Sequence, residues 1–120
     1  MVRPYTDDIC RFWRFKTPEI AKKSAAKIYE MYLIYRDKKD FIGMDMCRKF
    51  LEMGFTRARR YANHNTGRKY KQGTKEILPQ EPDHATSKYA QSAKIFKKVR
   101  DIVAKSADYV RMRKEWRASE

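Results

Sequence analysis

Apolar side chains recur at helical spacing along most of this chain, and this pattern limits the fold more than any other feature. From residue 18 to about Asp37 the apolar positions are three or four residues apart: Ala21, Ala25, Ile28, Tyr32 and Tyr35. This spacing places them on one side of an α-helix. Thr17, Pro18 and Glu19 supply a hydroxyl N-cap, a proline at the first helical position and an acid in the first turn. The pattern therefore predicts a helix that begins at Pro18.

A second helix is predicted after a short polar turn, with Asp40 as its N-cap. It runs from Phe41 to Met53, and Gly54 stands where a left-handed residue commonly ends a helix. Thr56 then resembles the N-cap of a third, shorter helix that ends near Asn63. Two helices joined at a glycine also have the lengths of a helix-turn-helix DNA reader, although such hairpins are common in other folds.

The remaining segments complete a helical domain. Residues 64–83 contain two glycines and two prolines among polar residues, and this composition indicates a long basic loop. Asp83 or Thr86 opens a long C-terminal helix, which Ser106 interrupts or caps again before a last helical piece ends near Arg117. Residues 1–16 are expected to be an irregular or extended leader that packs on the helices. We predict one all-α domain over residues 1–120, a compact bundle of four to five helices whose long basic loop joins the third and fourth.

The charge of the chain favours an anionic partner. Its 120 residues include 29 Lys and Arg but only 15 Asp and Glu, a net charge of +14. Such a surface attracts DNA, RNA, anionic lipid or an acidic protein. Cys10 and Cys47 are far apart in the sequence and are expected to be reduced thiols, which predicts a cytoplasmic protein. No apolar run approaches the length of a membrane span.

The middle of the chain concentrates this charge. Seven Lys and Arg lie between Met53 and Lys75, with no acidic residue between Glu52 and Glu76. Arginine grips phosphate oxygens in pairs, and cations beside rings suit nucleic acids. The predicted phosphate-binding residues are Arg57, Arg59, Arg60, Arg68, Lys69 and Lys71. The alternative for any one arginine of the helix is an ion pair inside the fold, with Asp45 or Glu52 for example.

Polar and aromatic neighbours extend the predicted site. Asn63 and His64 can contact bases or phosphates, but both residues also commonly close helices. Tyr70 in the loop and Trp13 in the leader are the candidate rings for stacking on bases. The loop can equally be a solvated segment without function.

Metal binding and catalysis have little support in the sequence. Two His and two Cys are widely separated, without a metal-ligand spacing, so we expect neither a metal nor a cofactor. No nucleophile or phosphate-loop motif is present. An enzyme acting on a nucleic acid would need Arg57, His64 and Asp45 around one pocket, whereas a helical pair with Lys49 accounts for Asp45.

Several sequence blocks resemble an uncharacterised domain family of bacteria, bacteriophages and algae. The blocks are FKTPEIAKKSA, DFIGMDM, MGFTRARRYANH and GRKY, within residues 13–71. The resemblance implies a domain type without an assigned activity, and it is compatible with a phage or viral origin.

Two functions remain after these steps. The first is a small nucleic-acid-binding protein that contacts phosphates through its Arg and Lys cluster. The second is an assembly subunit or viral accessory factor that docks on an acidic protein surface. The sequence leaves the choice between DNA, RNA and protein open.

Overall fold

The structure of the chain is a computed structural model that describes residues 3–64 and 86–119. Within these ranges it contains five α-helices and no strand: α1 (Arg3–Cys10), α2 (Pro18–Asp37), α3 (Phe41–Asn63), α4 (Lys88–Ala104) and α5 (Ala107–Ser119). The predicted all-α class and the number of helices are confirmed. The expected loop of residues 64–83 lies, apart from His64, outside the described residues.

Short polar side chains fix where the helices begin. Thr17 Oγ1 accepts the amide of Ile20 at 3.2 Å, and Asp40 Oδ1 accepts the amide of Gly43 at 3.2 Å, which confirms both predicted N-caps. Ser87 caps α4, one residue after Thr86, which was predicted to open that helix. Asp83, the other candidate, lies outside the described residues.

The predicted break at Gly54 is wrong, because α3 is one continuous helix from Phe41 to Asn63. Thr56 is therefore not an N-cap, and its hydroxyl donates to the carbonyl of Met53 at 3.2 Å within the same helix. The helix-turn-helix arrangement that the lengths of this segment suggested is not formed. A contact with another helix, and not a turn, requires glycine at this position.

That contact is with Phe96 of α4. A Cβ on Gly54 would lie 2.5 Å from the Phe96 ring, so only glycine lets the ring seat against the helix backbone. Glu52 pairs with Arg100 and Tyr61 stacks on Tyr89, so α3 and α4 run antiparallel with Gly54 opposite Phe96. Small buried residues line both helices between these contacts: Ala58, Ala62, Ala90 and Ala93. They allow the two helices to pack closely up to Tyr61 and Tyr89.

The leader was predicted to be irregular or extended, and this is wrong for its first half, because residues Arg3–Cys10 form α1. Ile9 of this helix is fully buried in the core. Tyr5 Oη donates to Asp40 Oδ2 at 2.7 Å, and the Arg14 amide donates to Ser24 Oγ at 2.9 Å. Residues 3–16 thus pack along the bundle, from the start of α3 toward its end.

A polar network joins the first half of α3 to α4 and α5. Arg48 pairs with Asp45 at 2.9 Å and with Glu52 at 3.4 Å, and Glu52 also pairs with Arg100 at 3.3 Å. Tyr109 Oη donates to Asp45 Oδ1 at 2.6 Å. Asp45 was predicted to pair with Lys49, but Arg48 and Tyr109 are its partners. This network attaches α5 to the bundle.

Substituting alanine for Gly54 tests the close contact of α3 and α4. Although alanine raises helix propensity by about 1 kcal/mol, the clash with Phe96 should lower the free energy of unfolding by about 1–3 kcal/mol. Urea denaturation of Gly54→Ala, Phe96→Leu and the double variant measures the coupling between the two positions. The double variant should be less destabilised than the sum of the single variants. A stabilised Gly54→Ala protein would contradict the contact.

The hydrogen bond between Tyr109 and Asp45 predicts a pH dependence. Burial and the bond to Asp45 raise the pKa of Tyr109 from 10.0 to about 12. Because the pKa is raised in the folded protein, the phenol contributes its full stability below pH 10 and loses it as the pH rises toward 12. At neutral pH Tyr109→Phe should lose about 1–2 kcal/mol of unfolding free energy.

This difference between wild type and Tyr109→Phe should shrink over that alkaline window, as followed by urea denaturation at several pH values. At low pH the stability changes in the opposite direction with pH, because the pKa of Asp45 is lowered in the folded protein. Burial would raise the pKa of Asp45, but hydrogen bonds from Tyr109 and Arg48 outweigh it and hold that pKa below its usual 3.8. The contribution of Asp45 is therefore present above this pH and is lost as the pH falls. A wild-type advantage unchanged in both windows would argue against the bond.

Candidate nucleic-acid interface

An open cleft lies where the end of α3 meets the start of α4 and the segment that leads into α2. Its volume is about 430 Å³, which is within the range of small-ligand sites. The described residues that line it are Trp13, Arg14, Phe15, Lys16, Tyr61 and Tyr89. The cleft therefore combines four aromatic rings with two cations, and three separate segments of the chain build it.

The rings form one connected aromatic surface. Tyr61 and Tyr89 are stacked, with ring centroids 5.2 Å apart and planes at 27°. The Phe15 ring lies 5.9 Å from Tyr61 and 6.4 Å from Tyr89, tilted and edge-on respectively. Both tyrosines and Phe15 are partly exposed. This surface offers flat apolar faces to a planar ligand.

Trp13 forms the inner wall of the cleft. Its Nε1–H donates to the carbonyl of Phe50 at 3.0 Å, and its ring packs edge-on against Phe15 and Phe50. The ring is partly exposed, so it lines the cleft without standing free at its mouth. The structure thus places this predicted stacking ring in the cleft and gives it a structural contact as well.

The three predicted arginines of α3 divide between two sides of the helix. At about 100° per residue, Arg57 lies about 40° from Tyr61 and about 60° from Arg60 around the helix axis. Arg59 lies roughly 160° from both Arg57 and Tyr61. Arg57 and Arg60 are exposed, and neither pairs with a carboxylate among the described residues. Arg59 Nη2 donates to Asn63 Oδ1 at 2.9 Å. Arg57 therefore lies one turn before the cleft residue Tyr61 on nearly the same side of α3, Arg60 lies about 100° from Tyr61, and Arg59 lies on the far side. None of the three is among the described residues that line the cleft.

Asn63 and His64 end α3. Asn63 accepts the bond from Arg59, and His64 is buried, with its backbone amide bonded to the carbonyl of Arg60 at 2.8 Å. Within residues 3–64 and 86–119, His64 Nδ1 has no hydrogen-bond partner. The structure does not bring these two side chains into the cleft, and a contact between either of them and a nucleic acid stays a prediction.

Four predicted contacts, Arg68, Lys69, Tyr70 and Lys71, lie outside the described residues. Sequence reasoning did not select Arg14, Lys16, Tyr61 and Tyr89 as site residues. The alternation of rings and cations in residues 11–16 was a signal for the first two. Nothing local in the sequence indicates that Tyr89 meets Tyr61.

A second groove adjoins the cleft through Arg14. It has a volume of about 260 Å³, with Phe12, Ile20 and Ser24 among its lining. The other residues that line it are basic: Arg11, Arg14, Lys23 and Lys27. Arg11 and Lys27 each form a single exposed ion pair at 3.7 Å, with Asp8 and Glu30, and such pairs are weak. The positive surface thus extends from the cleft along α2.

The residues that the enzyme hypothesis places around one pocket do not meet. Asp45 is near the start of α3 and His64 follows its end, so roughly 28 Å of helix separates them. Asp45 Oδ1 accepts hydrogen bonds from both Arg48 and Tyr109. Among the described residues, no cluster of three or more His, Cys, Asp or Glu has the arrangement of a metal site. No described helix has the length and apolarity that crossing a membrane requires.

Comparison with known proteins identifies the domain type. Residues 1–119 match the model of a family described as a domain of unknown function, DUF4385. The chain belongs to this family. The predicted membership of an uncharacterised family is confirmed. No curated protein and no solved structure matches this DUF4385 domain, so its function has to be argued from its surface.

The two tryptophans provide a test of how the cleft wall is held. Trp13→Phe should lose about 1 kcal/mol of unfolding free energy, because the hydrogen bond to Phe50 is lost. Trp116 is 43% exposed, and Trp116→Phe should change stability by less than about 0.5 kcal/mol. Chemical denaturation followed by circular dichroism measures both values. Equal effects of the two substitutions would show that Trp13 is not anchored as described.

Proposed function

We propose that this DUF4385 domain binds nucleic acid, with Arg57 and Arg60 contacting phosphates beside the aromatic cleft. One observation carries the proposal: two exposed arginines without carboxylate partners among the described residues lie within about one turn of Tyr61 on α3, and Tyr61 belongs to a cleft of rings that has Arg14 and Lys16 in its lining. Phosphates supply the negative charge that such arginines lack within the fold, and bases supply the flat faces that fit the rings.

The contrast with other arginines supports this proposal. Arg48 and Arg100 are engaged by Asp45, Glu52 and Asp101 at distances of 2.8–3.4 Å, so their charge stabilises the fold. Removing such an arginine would leave carboxylates without partners. Arg57 and Arg60 have no comparable role, and their substitution should affect binding without unfolding the protein.

A second function, docking on an acidic protein, uses the same charge but makes no use of the rings. The aromatic lining of the cleft therefore favours nucleic acid. A cytoplasmic location fits the proposal, because Cys10 and Cys47 are both free thiols.

The proposal is tested by fluorescence anisotropy with labelled single-stranded and duplex DNA and RNA at several salt concentrations. The affinity of the wild-type protein should fall linearly with the logarithm of salt concentration. The variant Arg57→Ala/Arg60→Ala should bind duplex DNA roughly 10- to 60-fold more weakly near 0.1 M salt, with the salt slope smaller by about 1.8. Loss of two phosphate contacts accounts for both changes.

The matched control is Lys114→Ala/Arg117→Ala, which removes the same charge at the same helical spacing from exposed positions of α5. It should retain most of the affinity, because α5 packs near the start of α3, away from the cleft. If both variants lose the same affinity, the loss comes from the lower net charge and not from Arg57 and Arg60 in particular. Polyglutamate that competes as well as DNA would favour the acidic protein partner, and no binding to any nucleic acid at low salt would refute the proposal.

A further inference from the structure

We infer that the cleft of Trp13, Phe15, Tyr61 and Tyr89 holds an unpaired base, so that the ligand is single-stranded nucleic acid. This inference rests on the proposed function and names its ligand class. The stacked pair Tyr61 and Tyr89, at 5.2 Å and 27°, has the near-parallel geometry that a base would extend. Phe15 bounds the stack from the side, so a planar group can insert without displacing a buried residue.

The polar groups of the cleft suit a base joined to phosphates. Arg14 Nη1 donates to the carbonyls of Cys10 and Trp13 at 3.2 and 2.7 Å, which fixes the guanidinium at the edge of the cleft. Lys16 is exposed and shares that edge. Among the described residues that line the cleft, these two cations are the only charged side chains. A ligand that is flat in its middle and anionic along its side matches this composition.

Cations also continue away from the cleft on two sides. Arg57 and Arg60 lie along α3, and the second groove places Lys23 and Lys27 along α2, with Arg14 shared between the groove and the cleft. A flexible strand can insert one base between these positions while its neighbouring phosphates reach cations on both sides. The arrangement fits a chain that bends at the cleft.

A rigid duplex does not meet these requirements. Its bases are stacked on one another and paired, so inserting one base into the cleft needs unstacking and unpairing first, at a cost of a few kcal/mol. The two cation groups can still contact duplex phosphates, which gives a weaker and nonspecific mode. The structure thus points to single strands bound more tightly than duplexes with the same number of phosphates.

An abasic strand separates stacking from charge. The Trp116→Phe protein, in which Trp13 is the sole tryptophan, is titrated with a single-stranded oligothymidine, a duplex of equal length and an abasic strand of equal length. The oligothymidine should bind about 10-fold more tightly than the abasic strand, and it alone should strongly quench the emission of Trp13. Equal affinity for the oligothymidine and the abasic strand, without quenching, overturns the inference.

Variants of the ring pair sharpen the test. Tyr89→Leu and Tyr61→Leu keep apolar bulk but remove the aromatic face, and each should reduce the preference for oligothymidine over the abasic strand about 5- to 10-fold. Tyr89→Phe keeps the ring and should retain the preference for oligothymidine. The control Tyr29→Leu removes one member of another stacked pair, Tyr29 with Tyr32 at 6.0 Å, and should leave this preference unchanged.

The two proposals fail in different ways. If affinity follows the number of phosphates in every strand, falls in Arg57→Ala/Arg60→Ala and is unchanged by the ring substitutions, the proposed function holds and this inference is refuted. If the protein binds none of the strands, both are refuted. A preference for single strands that survives Tyr61→Leu and Tyr89→Leu in folded proteins places the base elsewhere and also refutes the inference.

Discussion

The close approach of α3 and α4 at Gly54 and Phe96 is the constraint on which the rest of the structure depends. The ring of Phe96 occupies the space that a side chain at Gly54 would fill. This contact fixes the register of α3 against the antiparallel α4. Buried alanines keep the helices close over the next two turns. The same register then brings Tyr61 against Tyr89. The tyrosine pair of the candidate site is thus a consequence of a packing contact two turns away.

The leader supplies the remaining wall of the cleft, and its position depends on bonds to the bundle. Tyr5 is bonded to Asp40, which also caps α3, and the Trp13 indole is bonded to the carbonyl of Phe50. Because Asp40 serves both α1 and α3, the start of α3 and the position of the leader are coupled. The Arg14 amide is held by Ser24 immediately before the chain enters α2. Phe15 and Lys16 are therefore presented from a fixed backbone.

Features encoded locally could be predicted from the sequence, and features that depend on distant contacts could not. The caps Thr17 and Asp40 and the stripe of α2 were predicted correctly, because the signal and the structure lie within one turn. Gly54 was misread, since a glycine followed by Phe55 and Thr56 resembles a helix end, while its actual cause is Phe96. The pairing of Tyr61 with Tyr89 was missed for the same reason. The charge of Arg57 and Arg60 could be read from the sequence, whereas their lack of carboxylate partners among the described residues depends on tertiary packing. Their contact with phosphates stays a prediction.

The two ends of the bundle have opposite electrostatic designs, and this difference bears on function. At one end Asp45, Glu52 and Tyr109 neutralise and orient the arginines, so that charge there serves to attach α5. At the other end Arg57, Arg60 and Lys16 form no carboxylate pair among the described residues, and the described lining of the cleft is aromatic and basic. In the part of the chain that the structure describes, positive charge therefore coincides with exposed flat apolar faces, and a polymer of bases and phosphates has the chemistry to use both.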